Sequence, residues 1–175
     1  MDAAPALAAP GGATAAGTGA LTAAPVTAGA AGPAVARMSA QVSKARAKAS
    51  KAVRQKARAA KAVSVAKQQV GDPYRWGATG PGAFDCSGLA QYSWRKAGVK
   101  LPRITHSQYR AVKKKVSWAG LRPGDLLFFY GKGHVGIYVG KGRMVHAPSS
   151  GKTVRIVRLK GYYRTSFAGA VRPGA

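Results

Sequence analysis

Residues 123–147, PGDLLFFYGKGHVGIYVGKGRMVHA, decide the fold. Residues typical of β-strands dominate this stretch with the alternation of a half-buried sheet, and Gly or Pro bounds each run. The runs TVRIVRL at 153–159 and FAGAVR at 167–172 continue the pattern. We therefore predict strands in DLLFFY, HVGIYVG, RMVHA and the two later runs, paired as an antiparallel sheet.

Helical segments precede these strands. In the stretch CSGLAQYSWRKAG at 86–98, Asp85 stands where a helix N-cap is expected and Gly98 follows as a C-terminal stop. A second, shorter helix is predicted in SQYRAV at 107–112. Because helices come first and antiparallel strands afterwards, the fold class is α+β.

The chain ahead of this domain differs in composition. Residues 1–36 are almost entirely Ala, Gly, Pro and Thr, and we predict that they are disordered. An Ala-, Lys- and Arg-rich stretch follows, which predicts a helix that Gly71 ends. Its part at 37–60 offers too few large apolar side chains to be buried. We therefore expect a solvated helical linker there and a folded domain at 61–175.

The charge balance limits the possible functions. Twenty-nine Lys and Arg against four acids give a net charge of +25 at pH 7, and all four acids are Asp. A glycosidase that needs two paired carboxylates is therefore disfavoured. The positive charge predicts a polyanionic partner, which is a nucleic acid, an acidic membrane or an anionic cell wall. No long run of large apolar residues predicts a transmembrane helix.

The start of the chain bears on localisation. A standard secretory signal begins with basic residues, whereas Arg37 is the first basic residue here. The small residues Ala34, Val35 and Ala36 nevertheless resemble a signal cleavage site. We expect an exported protein that is extracellular or associated with the cell wall.

Cys86 is the single cysteine, so an intramolecular disulfide is excluded. A lone cysteine is most often a small buried hydrophobe. Cys86, however, opens a predicted helix between the capping Asp85 and the small pair Ser87 and Gly88. The N–H groups and dipole of a helix start stabilise a thiolate, and small neighbours let a substrate backbone approach. We therefore predict that Cys86 is a nucleophile with a depressed pKa.

The strand register places two histidines together. If 140–142 forms a three-residue hairpin loop, Val139 faces Arg143 and Gly136 lies opposite His146. His134 then shares a face with Gly136 and becomes a diagonal neighbour of His146. A loop of two or four residues would send one histidine to the opposite face.

Cys86, His134 and His146 form the predicted catalytic set of nucleophile, base and orienting residue. His106 lies in the loop-like RITHSQ, and we interpret it as structural. A zinc site of three His and one Cys is an alternative, but the spacings match no common ligand pattern. We expect neither a metal nor another cofactor.

Several motifs occur together in a recognisable order: GDPYRWG, FDCSGLAQYSW, PRITHSQ and PGDLLFFYGKGHVGIYVGKGRMVHAP. Over about 62–172 the chain resembles the NlpC-type cell-wall cysteine endopeptidases. The resemblance implies a papain-like α+β fold and hydrolysis of peptide bonds in peptidoglycan stem peptides. The bond implied is commonly the one between D-glutamate and the following diamino acid.

The resemblance also implies roles for individual residues. The family nucleophile falls on Cys86, the base on His134 and the third polar residue on His146. The tyrosine of PYRWG falls on Tyr74, whose hydroxyl is implied to lie near the nucleophile and to help bind the oxyanion or the substrate. Backbone N–H groups near Cys86, with Ser87 among them, are expected to contribute to the oxyanion hole.

Other functions stay open at this point. An amidase or acyltransferase could use the same Cys–His site, and a non-catalytic protein could bind walls or nucleic acid through its basic segment. No base-stacking or base-reading motif accompanies that segment, so we expect no specific nucleic-acid partner. Anionic polymers of the cell wall suit its charge equally well.

Overall fold

The computed structural model describes residues 33–175. Its helices are α1 (Pro33–Gln68), α2 (Cys86–Lys96), α3 (Thr105–Ala111) and α4 (Tyr162–Thr165). Its strands are β1 (Lys115–Val116), β2 (Leu126–Phe129), β3 (His134–Gly140), β4 (Arg143–His146), β5 (Arg155–Arg158) and β6 (Phe167–Val171). Short 3₁₀ turns occupy Trp118–Gly120 and Tyr130–Lys132.

The six strands form one sheet in the order β1-β6-β2-β3-β4-β5, and every neighbouring pair is antiparallel. The helices that precede the sheet pack against it, which confirms the predicted α+β class. The five predicted strands correspond to β2–β6, whereas the two-residue β1 and the four-residue α4 were not predicted. Elements this short carry too few residues to show a period.

Helix α2 begins where the sequence predicted. Asp85 has extended φ and ψ angles, and its Oδ1 accepts a hydrogen bond of 2.7 Å from the N–H of Gly88, as a helix N-cap does. The helix ends at Lys96, just before Gly98 with its φ of +78°. Helix α3 begins at Thr105, two residues ahead of the predicted start.

Helix α1 is continuous from Pro33 to Gln68, so residues 33–36 are helical although we predicted disorder there. The rest of that predicted segment, 1–32, lies outside the described residues. Every residue at 33–54 is exposed, and burial along α1 is confined to Ala59, Ala62, Val63 and Ala66. The division of the chain at residue 60 stays a prediction.

The contact between α1 and the domain is made mostly by small residues, since three of its four buried residues are alanines. Val63 is buried, but Val70 is 47% exposed. At Gly124, which has a φ of +96°, an added Cβ would lie 2.6 Å from the Cβ of Ala59. The backbone of the loop before β2 therefore approaches α1 closely.

Apolar side chains cover both faces of the sheet. Trp94 and Leu89 of α2 join Phe128 and Ile137 in the larger core cluster. On the other face, buried Leu127, Phe129 and Met144 pack against partly buried aromatics of the C-terminal segment, which include Tyr163 and Phe167. All four residues of β2 are buried, which explains the uninterrupted run LLFF.

Within residues 33–175, the structure contains no helix with the length and apolar character needed to cross a membrane.

Candidate active site

Cys86 is the first residue of α2, and its thiol is free and half-buried. Its side chain packs against the larger core cluster together with Tyr74. The helix start itself is fixed to the preceding loop, because the N–H of Asp85 donates to the carbonyl of Ala78. Gly88 makes this approach possible, since a Cβ there would lie 2.1 Å from the same carbonyl oxygen.

The carboxylate of Asp85 organises this helix start. It accepts hydrogen bonds from the N–H of Gly88 and from the N–H of Gly77, at 2.7 and 3.0 Å, and it forms an ion pair with Arg103. Burial acts to raise the pKa of Asp85, but the hydrogen bonds from Arg103 and Gly88 outweigh it, so the pKa is lowered. Asp85 is therefore ionised at neutral pH.

The predicted depression of the Cys86 pKa is wrong. Burial raises the pKa of the thiol, and the negative charge of Asp85 acts in the same direction. Backbone hydrogen bonds from Val135, Ser87 and Cys86 itself act to lower it without reversing the shift. The helix start alone favours a lower pKa of the thiol, but the buried surroundings and the adjacent carboxylate outweigh it. Cys86 is therefore a neutral thiol at rest.

The hairpin of β3 and β4 differs from the prediction in its loop. The strands pair as Ile137↔Val145, Tyr138↔Met144 and Gly140↔Arg143. The loop is thus the two-residue Lys141–Gly142, and both residues have positive φ, as in the primed turns typical of short hairpins.

A β-bulge between Tyr138 and Gly140 compensates for the shorter loop. The bulge adds one unpaired residue to β3, so the pairs beyond it return to the register that a three-residue loop would give. His134 and His146 consequently share a face. The predicted pairing of the histidines holds, although the loop length on which we based it was wrong.

The two imidazoles are in direct contact. Nε2 of His134 lies 2.9 Å from Nδ1 of His146, with the rings at 85° to each other. His146 is only 2% exposed, and His134 is half-buried. Since His146 occupies Nε2 of His134, the ring nitrogen of His134 that is left for a thiol is Nδ1.

Both histidines are neutral at pH 7. Burial lowers the pKa of His134 from 6.5 to about 4. Burial, followed by the charges of His134, Arg155 and Lys152, lowers the pKa of His146 to about 3. The thiol of Cys86 interacts with the backbone of Val135, the residue after His134. A neutral thiol and a neutral imidazole suit general-base catalysis rather than a preformed ion pair.

Tyr74 lies near the thiol. Its pKa is raised by burial and then by the charges of Cys86 and Asp85, whereas Arg103 acts to lower it. An isolated parallel bridge joins the backbone of Tyr74 to Phe84, two residues before Cys86. The tyrosine is thus anchored to the segment that leads into α2.

The hydroxyl of Ser87 is already engaged. It donates to Oδ1 of Asp85 at 3.2 Å and accepts from Nη1 of Arg103 at 2.8 Å. Its backbone carbonyl accepts from Nε2 of Gln108 at 3.0 Å. A role of Ser87 toward an oxyanion would therefore rest on its backbone N–H, which also interacts with the sulfur of Cys86.

Sequence reasoning missed three residues around this site. Arg103 pairs with Asp85 across 18 positions, and the buried Gln108 joins α3 to the start of α2. The hydroxyl of Tyr163 lies 3.4 Å from Nε2 of His146. These residues are too far apart in sequence for a periodic pattern to connect them. The only available signal was the scarcity of acids, because each Asp is surrounded by an excess of Lys and Arg that could pair with it.

His106 lies apart from this set on α3, where it is exposed beside the hydroxyl of Thr105. Across residues 33–175, no three His, Cys, Asp or Glu side chains are grouped closely enough to hold a metal ion. The candidate site comprises the thiol of Cys86 and the imidazoles of His134 and His146, with Tyr74 and the Asp85–Arg103 pair on the thiol side.

A helix that opens with a cysteine, packed on an antiparallel sheet that carries a pair of contacting histidines, defines the papain-like α+β class. The family model described as the NlpC/P60 family matches residues 71–172. The chain belongs to the NlpC/P60 family, which confirms the resemblance read from its motifs.

Individual relatives agree with this assignment. The chain is 47% identical over 92 residues to a protein of Listeria monocytogenes described as "Probable endopeptidase p60", across 51% of this chain and 19% of that protein. It is 43% identical over 98 residues to a probable endopeptidase of Mycobacterium tuberculosis, across 55% of this chain and 25% of that protein. The chain thus spans about a fifth to a quarter of these relatives.

Solved structures give the same fold. A crystal structure of an NlpC/P60 family protein from Bacillus cereus superimposes with a TM-score of 0.61 at 36% identity, covering 65% of this chain and 39% of that one. The NlpC/p60 domain of the peptidoglycan hydrolase SagA superimposes with a TM-score of 0.58 at 33% identity, covering 65% of this chain and 97% of that one.

Proposed function

We propose that this protein is a peptidoglycan hydrolase, a cysteine endopeptidase that cleaves stem peptides. The observation that carries the proposal is the 2.9 Å contact between His134 and His146, next to a helix that opens with the single cysteine. The name of its relative SagA, a peptidoglycan hydrolase, supports the choice of substrate.

The proposed mechanism starts from neutral groups. Nδ1 of His134 removes the thiol proton of Cys86 as the sulfur attacks the scissile carbonyl, and the resulting imidazolium is stabilised through Nε2–H by Nδ1 of His146. The proton then passes from His134 to the departing amine, which leaves an acyl-enzyme. Water, deprotonated by His134, attacks the acyl group and releases the thiol again.

Other side chains support these steps in the proposal. Asp85 and Arg103 hold the start of α2 in place, so the N–H groups of Cys86 and Ser87 face the developing oxyanion. The hydroxyl of Tyr74, near the thiol, assists in binding the oxyanion or the substrate.

We further propose that the scissile bond joins D-glutamate to the diamino acid. The test is incubation of the purified chain with peptidoglycan of known stem chemistry, followed by mass spectrometry of the fragments, with Cys86→Ala as the control. Fragments that end in D-glutamate and that disappear with Cys86→Ala are expected.

Each alternative has its own result in this experiment. Release of intact stem peptides from the glycan indicates an amidase, and transfer products indicate an acyltransferase. Fragments that persist with Cys86→Ala contradict the nucleophile assignment. Binding to walls without any cleavage by the wild-type chain indicates a non-catalytic wall-binding protein.

The exposed part of α1 is proposed to bind anionic polymers of the cell wall, which agrees with an extracellular or wall-associated location. Its cations project into solvent on a helix whose residues 33–54 are all exposed. No acidic residue lies within α1 to neutralise them, because the only acids at 33–175 are Asp72, Asp85 and Asp125. Such a helix attracts any flexible polyanion, and the cell wall is the polyanion that also contains the proposed substrate.

A further inference from the structure

The second ring nitrogen of His146 has a partner that the proposed mechanism does not use. His146 is 2% exposed, and its Nδ1 is occupied by His134. A buried polar atom without a partner is costly, so Nε2 needs a donor or an acceptor. The hydroxyl oxygen of Tyr163 lies 3.4 Å away and is the only side-chain group recorded at hydrogen-bonding distance from Nε2 in residues 33–175.

Tyr163 is held in this position by ring packing. Its ring meets Phe129 edge-on with centroids 5.5 Å apart, and it meets His146 edge-on at 5.7 Å. Helix α4, which carries it, is one turn long, so these contacts rather than the helix fix the side chain. Burial raises the pKa of Tyr163, so its hydroxyl is neutral and can either donate or accept a hydrogen bond.

Two proton arrangements satisfy the chain of three groups. In one, Tyr163 donates to Nε2 of His146, whose Nδ1–H donates to Nε2 of His134, and the proton of His134 sits on Nδ1. In the other, every bond runs the opposite way, and Nδ1 of His134 carries a free lone pair. Only the second arrangement leaves His134 able to take a proton from a thiol.

The surrounding charges indicate where the positive charge of the reacting state resides. Arg155, opposite His146 on β5, and Lys152 both act to lower the pKa of His146. An imidazolium is therefore disfavoured on His146, so the proton taken from the thiol remains on His134. His146 then acts as a hydrogen-bond acceptor toward His134 and needs an acceptor of its own at Nε2.

We propose that Tyr163 is a positioning residue of this site: its oxygen accepts the Nε2–H of His146 and thereby keeps Nδ1 of His146 as the acceptor for His134. This inference rests on the proposed function for its relevance to catalysis. The 3.4 Å between Tyr163 and His146 is longer than the 2.9 Å between the two histidines, and such hydrogen bonds shorten in the reacting complex.

The first test reads the protons directly and needs no activity. The full chain is labelled with ¹⁵N-histidine, and long-range ¹H–¹⁵N spectra at pH 7 report which ring nitrogen carries the proton. We expect His134 and His146 both to be protonated on Nε2, with a shifted His146 Nε2 signal in Tyr163→Phe. Protonation of His146 on Nδ1, or an unchanged signal in Tyr163→Phe, overturns the proposal.

The second test separates positioning from a structural role. On a soluble stem peptide, Tyr163→Phe is expected to lower kcat by about 2- to 10-fold, as the loss of one neutral hydrogen bond predicts, with KM unchanged. Tyr162→Phe is the matched control, since that neighbouring side chain is 68% exposed and lies off the histidine pair. In a His146→Ala background, Tyr163→Phe should have no additional effect on kcat.

The outcomes of the two tests distinguish the proposals. Equal kcat losses for Tyr163→Phe and Tyr162→Phe, or a loss that persists undiminished in His146→Ala, overturn the positioning role of Tyr163. A wild-type chain that cleaves no stem peptide contradicts the proposed function, while the ¹⁵N spectra still decide the proton arrangement at Tyr163.

Discussion

The thiol of Cys86 and the imidazoles of His134 and His146 are three ionisable groups that burial keeps neutral. Their pKa values move apart, with the thiol shifted upward and the two imidazoles shifted to about 4 and about 3. A proton therefore has to move from sulfur to nitrogen during attack, instead of having moved beforehand. This property sets how the site should respond to pH.

The reactivity of Cys86 should follow a high thiol pKa. We expect the alkylation rate with iodoacetamide to keep rising with pH above the ordinary cysteine value of about 8.5, because burial and Asp85 disfavour the thiolate. Rates measured from about pH 5 to 10 test this. A rate that levels off near neutral pH contradicts the neutral thiol. Because a neutral His134 does not stabilise a thiolate by charge, His134→Ala should leave the alkylation rate at pH 7 nearly unchanged.

The histidine pair should make the fold sensitive to acid. An unfolded histidine takes up a proton near pH 6.5, whereas the folded pair does so only near pH 4 and pH 3. The unfolded state therefore binds more protons between these values, and stability falls as the pH drops from about 6.5 toward 4 and below. Thermal unfolding scans across this range measure the loss.

A matched pair of variants isolates the cause of the acid sensitivity. In His146→Asn the fall in melting temperature with decreasing pH should be shallower than in the wild-type chain. Ser93→Ala changes a buried side chain that does not ionise in this range and should leave the slope unchanged. Equal slopes in all three proteins contradict the burial of His146 as a neutral group.

At the level of elements, α2 and the β3–β4 hairpin carry the site, and each depends on a local backbone feature. Asp85 and Gly98 in the sequence were enough to predict the ends of α2, because capping and stop signals act over a few residues. The bulge in β3 could not be predicted, since Tyr138, Val139 and Gly140 fit a regular strand equally well. Without the bulge, the two-residue loop would have put the histidines on opposite faces, so their pairing depended on a backbone feature that the sequence did not show.

Two substitutions in α2 should have opposite effects on stability. Alanine usually stabilises a helix relative to glycine, but Gly88→Ala places a Cβ 2.1 Å from the carbonyl oxygen of Ala78, and we expect a loss of more than about 1 kcal/mol. Ser93→Ala removes a buried hydroxyl that has no hydrogen-bond partner within residues 33–175, and we expect unchanged or higher stability. Urea unfolding of both variants tests the comparison, and a stabilising Gly88→Ala contradicts the close approach.

On the scale of the whole molecule, a domain with its own core carries a long exposed helix at its N-terminal side. The composition showed that residues before about 60 have few large apolar side chains. It did not show that α1 continues without a break from this exposed part into the buried part. The small contacts of Ala59, Ala62 and Ala66 could not be distinguished in sequence from the many solvent-exposed alanines around them. The ion pair between Arg172 and Asp125, which ties the last strand to the start of β2, was equally hidden by distance along the chain.

The position of positive charge, rather than its total, should govern binding to walls. Replacing Lys44, Arg46, Lys48 and Lys51 with Gln should weaken sedimentation with whole walls and reduce its dependence on salt, while turnover of a small stem peptide is retained. The control replaces the exposed Lys96, Lys113, Lys114 and Lys160 of the domain, which changes the net charge equally. Equal loss of sedimentation in both variants contradicts a specific role for α1.

The exposed length of α1 also sets a distance. Residues 33–54 form a helical rod of roughly 33 Å at the usual rise per residue. A helix of this length is stiffer than a flexible linker. A wall polymer bound to its first turns would therefore stay at a nearly constant distance from the thiol of Cys86. The enzyme would then reach stem peptides some way from its point of attachment and pass over those directly beneath it.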